Sequence, residues 1–445
     1  MLSFLTACFV IKSQSLKEIL MPLNTNMNAT VHEFFYEPLQ TALVGATNGR
    51  KCHGLSDDDF LEAGVGRCTD DSKSGRAWIQ KIQSMMMAIT VGGFFDSLKS
   101  GRRLKLVKEV AHLVRGRLDN EAPLHDDPFA SHSEMSNFAV YAADGHYHGA
   151  SSHENLIEGE RQAVGHLFAM NLRTQSMHHL SSVPIKTKKS EHEISTLKKM
   201  DADAIRMGEP TKRQLILAYD PAIYNFDQWH RWKQAKGVYI VTLAKKDTAL
   251  LFCGENEIDH TDSRNAGVQS DKIGGATTGH MLRRIVYIDP VTGVEYIFLT
   301  NQMTLPPGLI AFIYKKRWDI EKAFDGFKNK LDEKKAWANS DTAKCAQAKF
   351  MALTHNLILL LERKIEADEG ITDTKIEKKR QIRLKQDLEA IRVSGRKVNP
   401  LVTRGYKPIQ RSLQFIRWLR SALLQRASWR PSMAILAPLM AGYLR

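Results

Sequence analysis

Two short apolar runs, each ending on an aspartate, most constrain how this chain can fold. Residues 138–143 are apolar throughout and lead into Asp144-Gly145, and residues 214–219 repeat the pattern into Asp220. Such runs predict strands buried on both faces, and a carboxylate directly after each predicts a charged group emerging at a sheet edge. Residues 165–170 and their continuation read as a second strand, 193–207 as a helix, 226–235 as another helix and 238–243 as a further strand. Strands alternating with helices predict an α/β sheet, with two carboxylates at its strand ends.

The flanks differ in pattern. Up to about residue 130, amphipathic segments near 31–44, 57–63, 77–89 and 104–118 predict a helical N-terminal domain, and the polar, Pro-bearing stretch 124–128 a linker. Residues 245–305 hold short β-rich pieces with turn signals at Asp289-Pro290 and Thr292-Gly293, read as a β insertion. Pro306-Pro307-Gly308 punctuates the chain before a long helix. Helices near 342–364 and 374–392 and a basic aromatic stretch at 409–429 follow. The expected division is 1–130, 131–345 and a basic helical region 346–445.

The chain has 445 residues and a net charge of +14. From about residue 311 onward Lys and Arg outnumber Asp and Glu roughly two to one, which supplies essentially all of the excess. A polyanionic partner fits that balance, although a basic surface that only keeps a protein soluble would look the same. Cys8, Cys52, Cys68, Cys253 and Cys345 are scattered singly, so neither a disulfide framework nor a zinc site is predicted and a reducing cytoplasm fits. The apolar opening 1–11 lacks a basic flank, and the apolar end after Pro431 is short and broken by Pro438, so no membrane span is expected.

On a helical wheel over 309–331, Tyr314, Arg317, Glu321 and Lys328 fall within roughly 60° of one another, and Ile313, Ile320, Phe324, Phe327 and Leu331 fill an adjacent sector. The helix can therefore lay its apolar side on a sheet while the polar stripe borders a site. A solvated face of i,i+4 pairs such as Arg317 with Glu321 would give the same wheel.

The spacing Tyr314-x2-Arg317-x3-Glu321-x6-Lys328 resembles the Y-R-E-K signature of DDE transposases from bacterial insertion sequences, the insertion-sequence-four family. The residues around it, 299–301 and 314–321 with Phe324 and Lys328, look like the family's run around its last acid, and the resemblance covers roughly 135–345. It implies an RNase H-like α/β catalytic core with a β-rich insertion, flanked by helical N- and C-terminal regions. Asp144 would take the first catalytic and metal-binding role, Asp220 the second and Glu321 the third. His146 stands where many relatives carry a small hydroxyl residue, and Pro221 follows Asp220.

The resemblance further implies Mg²⁺, with Mn²⁺ as substitute, held by the three carboxylates for hydrolysis and strand transfer without a covalent intermediate. Arg317, Lys328 and Tyr314 would meet phosphates, and Trp318 would either stack on an unpaired base or pack in the core. The implied activity is cut-and-paste transposition on double-stranded DNA, at terminal inverted repeats and target, by a homodimer formed on the DNA. N-terminal helices would bind the ends, and the C-terminal helices would dimerise or contact DNA. A catalytically silent, transposase-derived DNA-binding protein and a plain RNase H-like nuclease are the rival readings. His146, His148, His153 and Glu154 read as surface or core residues before a metal cluster; Asp126, Asp127 and Asp227 read as caps or solvated acids. No nucleophile-elbow glycines frame Ser151-Ser152-His153.

Overall fold

The computed structural model describes residues 28–46, 54–72, 74–85, 89–151, 163–185, 193–210, 212–221, 224–245, 248–330 and 335–441. Five helices come first: α1 (Val31–Ala46), α2 (Asp57–Thr69), α3 (Gly75–Gln83), α4 (Val91–Leu98) and α5 (Gly101–Asn120). Ser56, Ser74, Thr90 and Ser100 cap α2 to α5 by accepting from backbone N–H groups in the first turn. Helix α4 had no counterpart in the sequence reading. Its Gly-Gly pair hides the periodicity, and Phe94 and Leu98 alone carry its buried face.

The central part is one nine-stranded sheet. Its strands are β1 (Phe138–His148), β2 (Ala163–Asn171), β3 (Met177–Ile185), β4 (Gln214–Ala218), β5 (Val238–Leu243), β6 (Leu251–Glu255), β7 (Val268–Gly275), β8 (Met281–Ile288) and β9 (Glu295–Thr300). The order is β3-β2-β1-β4-β5-β9-β8-β7-β6. Strands β1, β4 and β5 are parallel, and every other pairing is antiparallel. The apolar runs behave as two-sided strands. Phe138, Val140, Ala142, Ile216 and Ala218 join one hydrophobic cluster, while Ala139, Tyr141, Ala143, Leu215, Leu217 and Tyr219 join the other.

Short α6 (Ala202–Arg206) and α7 (Phe226–Lys236) cover one face of the sheet. Long α8 (Pro307–Lys330) and α9 (Asp341–Glu369) cover the other. Helix α9 packs on α1, α2, α5 and β3, which makes the core continuous from the N-terminal helices to the sheet. The chain ends in α10 (Thr374–Ser394), α11 (Pro400–Thr403), α12 (Leu413–Leu424) and α13 (Trp429–Ala441).

Several expectations are corrected. The β-rich stretch 245–305 joins the core sheet, where β9 pairs with β5 from Val241↔Thr300 to Leu243↔Phe298, so β6 to β9 extend it. Strands β3 and β7 were not anticipated, because paired histidines and serines in one and Asp271, Lys272 and two glycines in the other mask their alternation. The helix expected over 193–207 is a 3-10 segment (Glu193–Lys199) followed by α6, interrupted where Asp201 accepts from Ala204 N–H and caps the new helix. Pro438 does not break the C-terminal segment, since α13 runs through it. Residues 1–11, Ser152, His153, Glu154 and Leu331 lie outside the described residues. Among the described residues, no helix is long and apolar enough to cross a membrane, and no disulfide joins Cys68, Cys253 or Cys345.

Candidate active site

The sheet sets two of the three acids. Pairing between β1 and β4 stops at Ala142↔Ala218, whereas β1 continues beside β2 with Asp144 opposite Phe168. Asp144 is therefore mid-strand and not the strand's last residue, but it emerges because its neighbour on the β4 side has ended. Asp220 follows β4 by two residues. Tyr219 between them is pinned by its N–H donating to Val241 O at 3.2 Å and its hydroxyl accepting from Trp229 Nε1 at 2.7 Å.

The third acid comes on α8, whose start is fixed by the sheet extension. Gly308 N–H donates to Asn265 Oδ1 at 3.0 Å, and a Cβ on Gly308 would stand 2.0 Å from the Arg264 carbonyl oxygen, so only glycine fits this approach. Arg283, paired in the buried interior with Asp271, donates to Leu305 O at 2.6 Å just before the helix. Ile313, Ile320, Phe324 and Phe327 are buried, as the wheel predicts, but so are Tyr314 and Arg317.

Arg317 is 2% exposed and meets all three acids. Its Nη1 lies 2.9 Å from Glu321 Oε1 and 3.5 Å from Asp144 Oδ2, and its Nη2 lies 3.0 Å from Asp220 Oδ1. The Nη1 contacts are ion pairs lacking hydrogen-bond alignment, and Nε is buried without an acceptor. The Tyr314 hydroxyl donates to Asp220 Oδ1 at 3.1 Å, and the guanidinium stacks 5.3 Å from the Tyr314 ring and 5.2 Å from the Trp318 ring. The i,i+4 pair is thus present, but it is one arm of a convergence of residues from β1, the end of β4 and α8.

Burial raises the Asp144 carboxyl to about 6; the Gly145 N–H and Arg317 pull it down, while Asp220 and Glu321 push it up. Burial opposes the Arg317 charge, yet Tyr314 and the three carboxylates together carry it above its ordinary value. Three carboxylates are a hard oxygen donor set suited to Mg²⁺. Among the described residues no group of three or more His, Cys, Asp or Glu is already spaced to hold a metal, because here the acids close on the guanidinium. The donors fit such an ion in kind, with Arg317 as their counter-charge.

Residues 127–357, just over half of the chain, match the family described as Transposase DDE domain. The chain belongs to that family. As a DDE-domain transposase it is expected to act on DNA, and the carboxylate convergence lies wholly within the matched residues. No curated protein matches the sequence. Among solved structures it is similar to the catalytic domain of human endonuclease V at 12% identity, over 49% of this chain and 89% of that one, with a TM-score of 0.22 that carries no argument.

The remaining candidates of this transposase make no contact with the three carboxylates among the interactions described. Trp318 is 53% exposed, which overturns the core-packing alternative for it. Lys328 is exposed, about 10 Å along α8 from Glu321. His146 and His148 are buried on β1; His148 Nδ1 meets His166 Nε2 at 2.9 Å, and His166 Nδ1 meets Ser182 Oγ at 2.8 Å. Burial holds His146 near 2 and His148 near 3, so both are neutral core imidazoles. Asp227 pairs with His280, Asp126 with Lys407 and Asp127 with Arg173. The sequence reading missed the supports Tyr219, Trp229, Asn265 and Gly308. The Pro-Pro-Gly punctuation was the one local signal for the last of them.

Proposed function

We propose that Asp144, Asp220 and Glu321 are the catalytic carboxylates of an RNase H-like transposase core that cuts and rejoins DNA ends by cut-and-paste transposition. The observation that carries this reading is a single buried guanidinium in contact with all three acids, drawn from three separate elements. A like set of charges gathered at a strand edge is a costly arrangement for a fold to keep without a use for it. The strand order β3-β2-β1-β4-β5, with the first acid on β1, the second after β4 and the third on a helix, supports the RNase H-like assignment.

The carboxylates would hold Mg²⁺, with Mn²⁺ as substitute, which when bound supplies activation of a water or 3′-hydroxyl and stabilises the leaving oxygen. The chain's own residues do the rest. Tyr314 orients Asp220, and Arg317, once released from the acids, presents its fork to a phosphate. Lys328 and the exposed Trp318 extend the stripe toward DNA, one as a point charge and the other as a stacking surface. End binding by the N-terminal helices, a homodimer on the DNA and a cytoplasmic site of action complete the proposal.

The test is Mg²⁺-dependent cleavage of DNA carrying the element's ends, comparing the natural protein with Glu321→Gln. End-specific nicking that disappears in the variant is the expected result. End binding without cleavage by either protein would overturn the catalytic assignment and favour a silent DNA-binding derivative.

A further inference from the structure

Helix α10 stands apart from the rest of the fold in charge and in exposure. Residues 374–397 carry nine Lys or Arg against three Asp or Glu, a net +6 within a chain of net +14. Over its 21 residues only Ile391 is buried. It is about 31 Å long and is mostly exposed from position 381 to its end. The helix is fastened at its ends and along its underside. Asp373 accepts from Ile376 N–H and from Ser412 N–H at its start, and Arg380 donates to Tyr406 O at 3.2 Å. Gly395, at φ 66°, ends it.

On the wheel, Ile391 marks the inward side; Lys379, Lys385 and Arg392 fall on the opposite half and Arg383 at its edge, all exposed, with Glu389 on the same half paired to Arg392. Ile382 and Val393, 49% and 74% exposed, lie among them. Contacts also lead from just past the end of α10 toward α8. Lys315 on α8 pairs with Asp289 at 3.3 Å, and the next carbonyl, Pro290 O, accepts from Arg396 Nη1 at 3.4 Å. Exposed Trp318, Lys315 and Lys322 cover the α8 surface between that junction and Arg317.

We propose that the outward face of α10 is a docking surface for the phosphate backbone of double-stranded DNA running away from the carboxylate site. The inference rests on the proposed function. Charge selects the occupant: a second copy of this helix would set one basic face against another, whereas duplex DNA offers closely spaced negative charge and releases counterions when it is neutralised. Lysines and arginines on one side of a straight helix position a backbone without reading bases.

The experiment is fluorescence anisotropy of the full chain with a labelled duplex of random sequence, titrated at several salt concentrations. Natural protein and the triple variant Lys379→Gln/Arg383→Gln/Lys385→Gln are compared after their melting temperatures have been checked. The triple variant is expected to bind about tenfold more weakly and to lose about 3 units from the slope of log affinity against log salt. An unchanged slope in the triple variant overturns the docking surface and leaves the catalytic reading standing. The same result with a drop in molar mass by light scattering assigns the face to a second copy instead. No duplex binding by the natural protein overturns both proposals together.

Discussion

Arg317 Nη2 lies 3.0 Å from Asp220 Oδ1, and that same oxygen accepts the Tyr314 hydroxyl at 3.1 Å. The guanidinium is thus the counter-charge that lets the acids approach one another. Arg317→Met removes it while keeping apolar bulk, and leaves three carboxylates facing one another. Asp220 and Glu321 are partly open to solvent, which screens the loss. Metal-free stability is expected to fall by roughly 1–3 kcal/mol, with Mn²⁺ raising the variant's melting temperature more than the natural protein's. Equal melting temperatures in chelator would refute the counter-charge role.

The Asp144 carboxyl gives a pH dependence of definite sign. In the folded chain it keeps its proton up to about 6, against an ordinary value of 3.8, so the folded state binds more protons in that window. Its contribution favours folding at low pH and is lost as pH rises from about 4 to 6. Asp144→Asn is expected to stabilise the metal-free protein by roughly 2–3 kcal/mol at pH 7.5 and to do little at pH 4. Thermal melts at both pH values check it, and a variant no more stable at pH 7.5 would show that the ionised carboxylate carries no such cost.

A structural ion pair anchors the approach to α8. Arg283 Nε donates to Asp271 Oδ1 at 2.7 Å, with both side chains at or below 3% exposure. Asp271→Ala leaves a buried, uncompensated cation and is expected to cost about 3–5 kcal/mol in urea unfolding. Removing both charges with Asp271→Leu/Arg283→Met should recover most of that loss. A single variant as stable as the natural protein would contradict the burial of the pair.

Gly308 offers a test of how α8 is positioned. A Cβ there would meet backbone, the Arg264 carbonyl, which cannot rotate away as a side chain does. Gly308→Ala is expected to destabilise by about 1–3 kcal/mol and to weaken DNA end cleavage more than DNA binding, because the helix start moves and carries Glu321 with it. Unaltered cleavage would show that the helix tolerates the shift.

Much of this arrangement was legible in residue order alone. The runs at 138–143 and 214–219 depend on local periodicity and marked two core strands with an acid after each, while Glu321 on the long helix was singled out by the resemblance carried in the Tyr314-to-Lys328 spacing. Strands β3 and β7 escaped because polar residues in them are satisfied by partners on other elements: His179 by Lys349, Asp271 by Arg283. The joining of β6 to β9 onto the core sheet depends on the β5–β9 ladder, a long-range pairing that no local pattern encodes. The direction of Arg317 is the clearest case. An arginine four residues before a glutamate has the same sequence whether it faces water or a carboxylate cluster. Only packing of α8 across the ends of β1 and β4 buries it among Asp144, Asp220 and Glu321, since burying one cation requires partners that only the assembled sheet brings within reach.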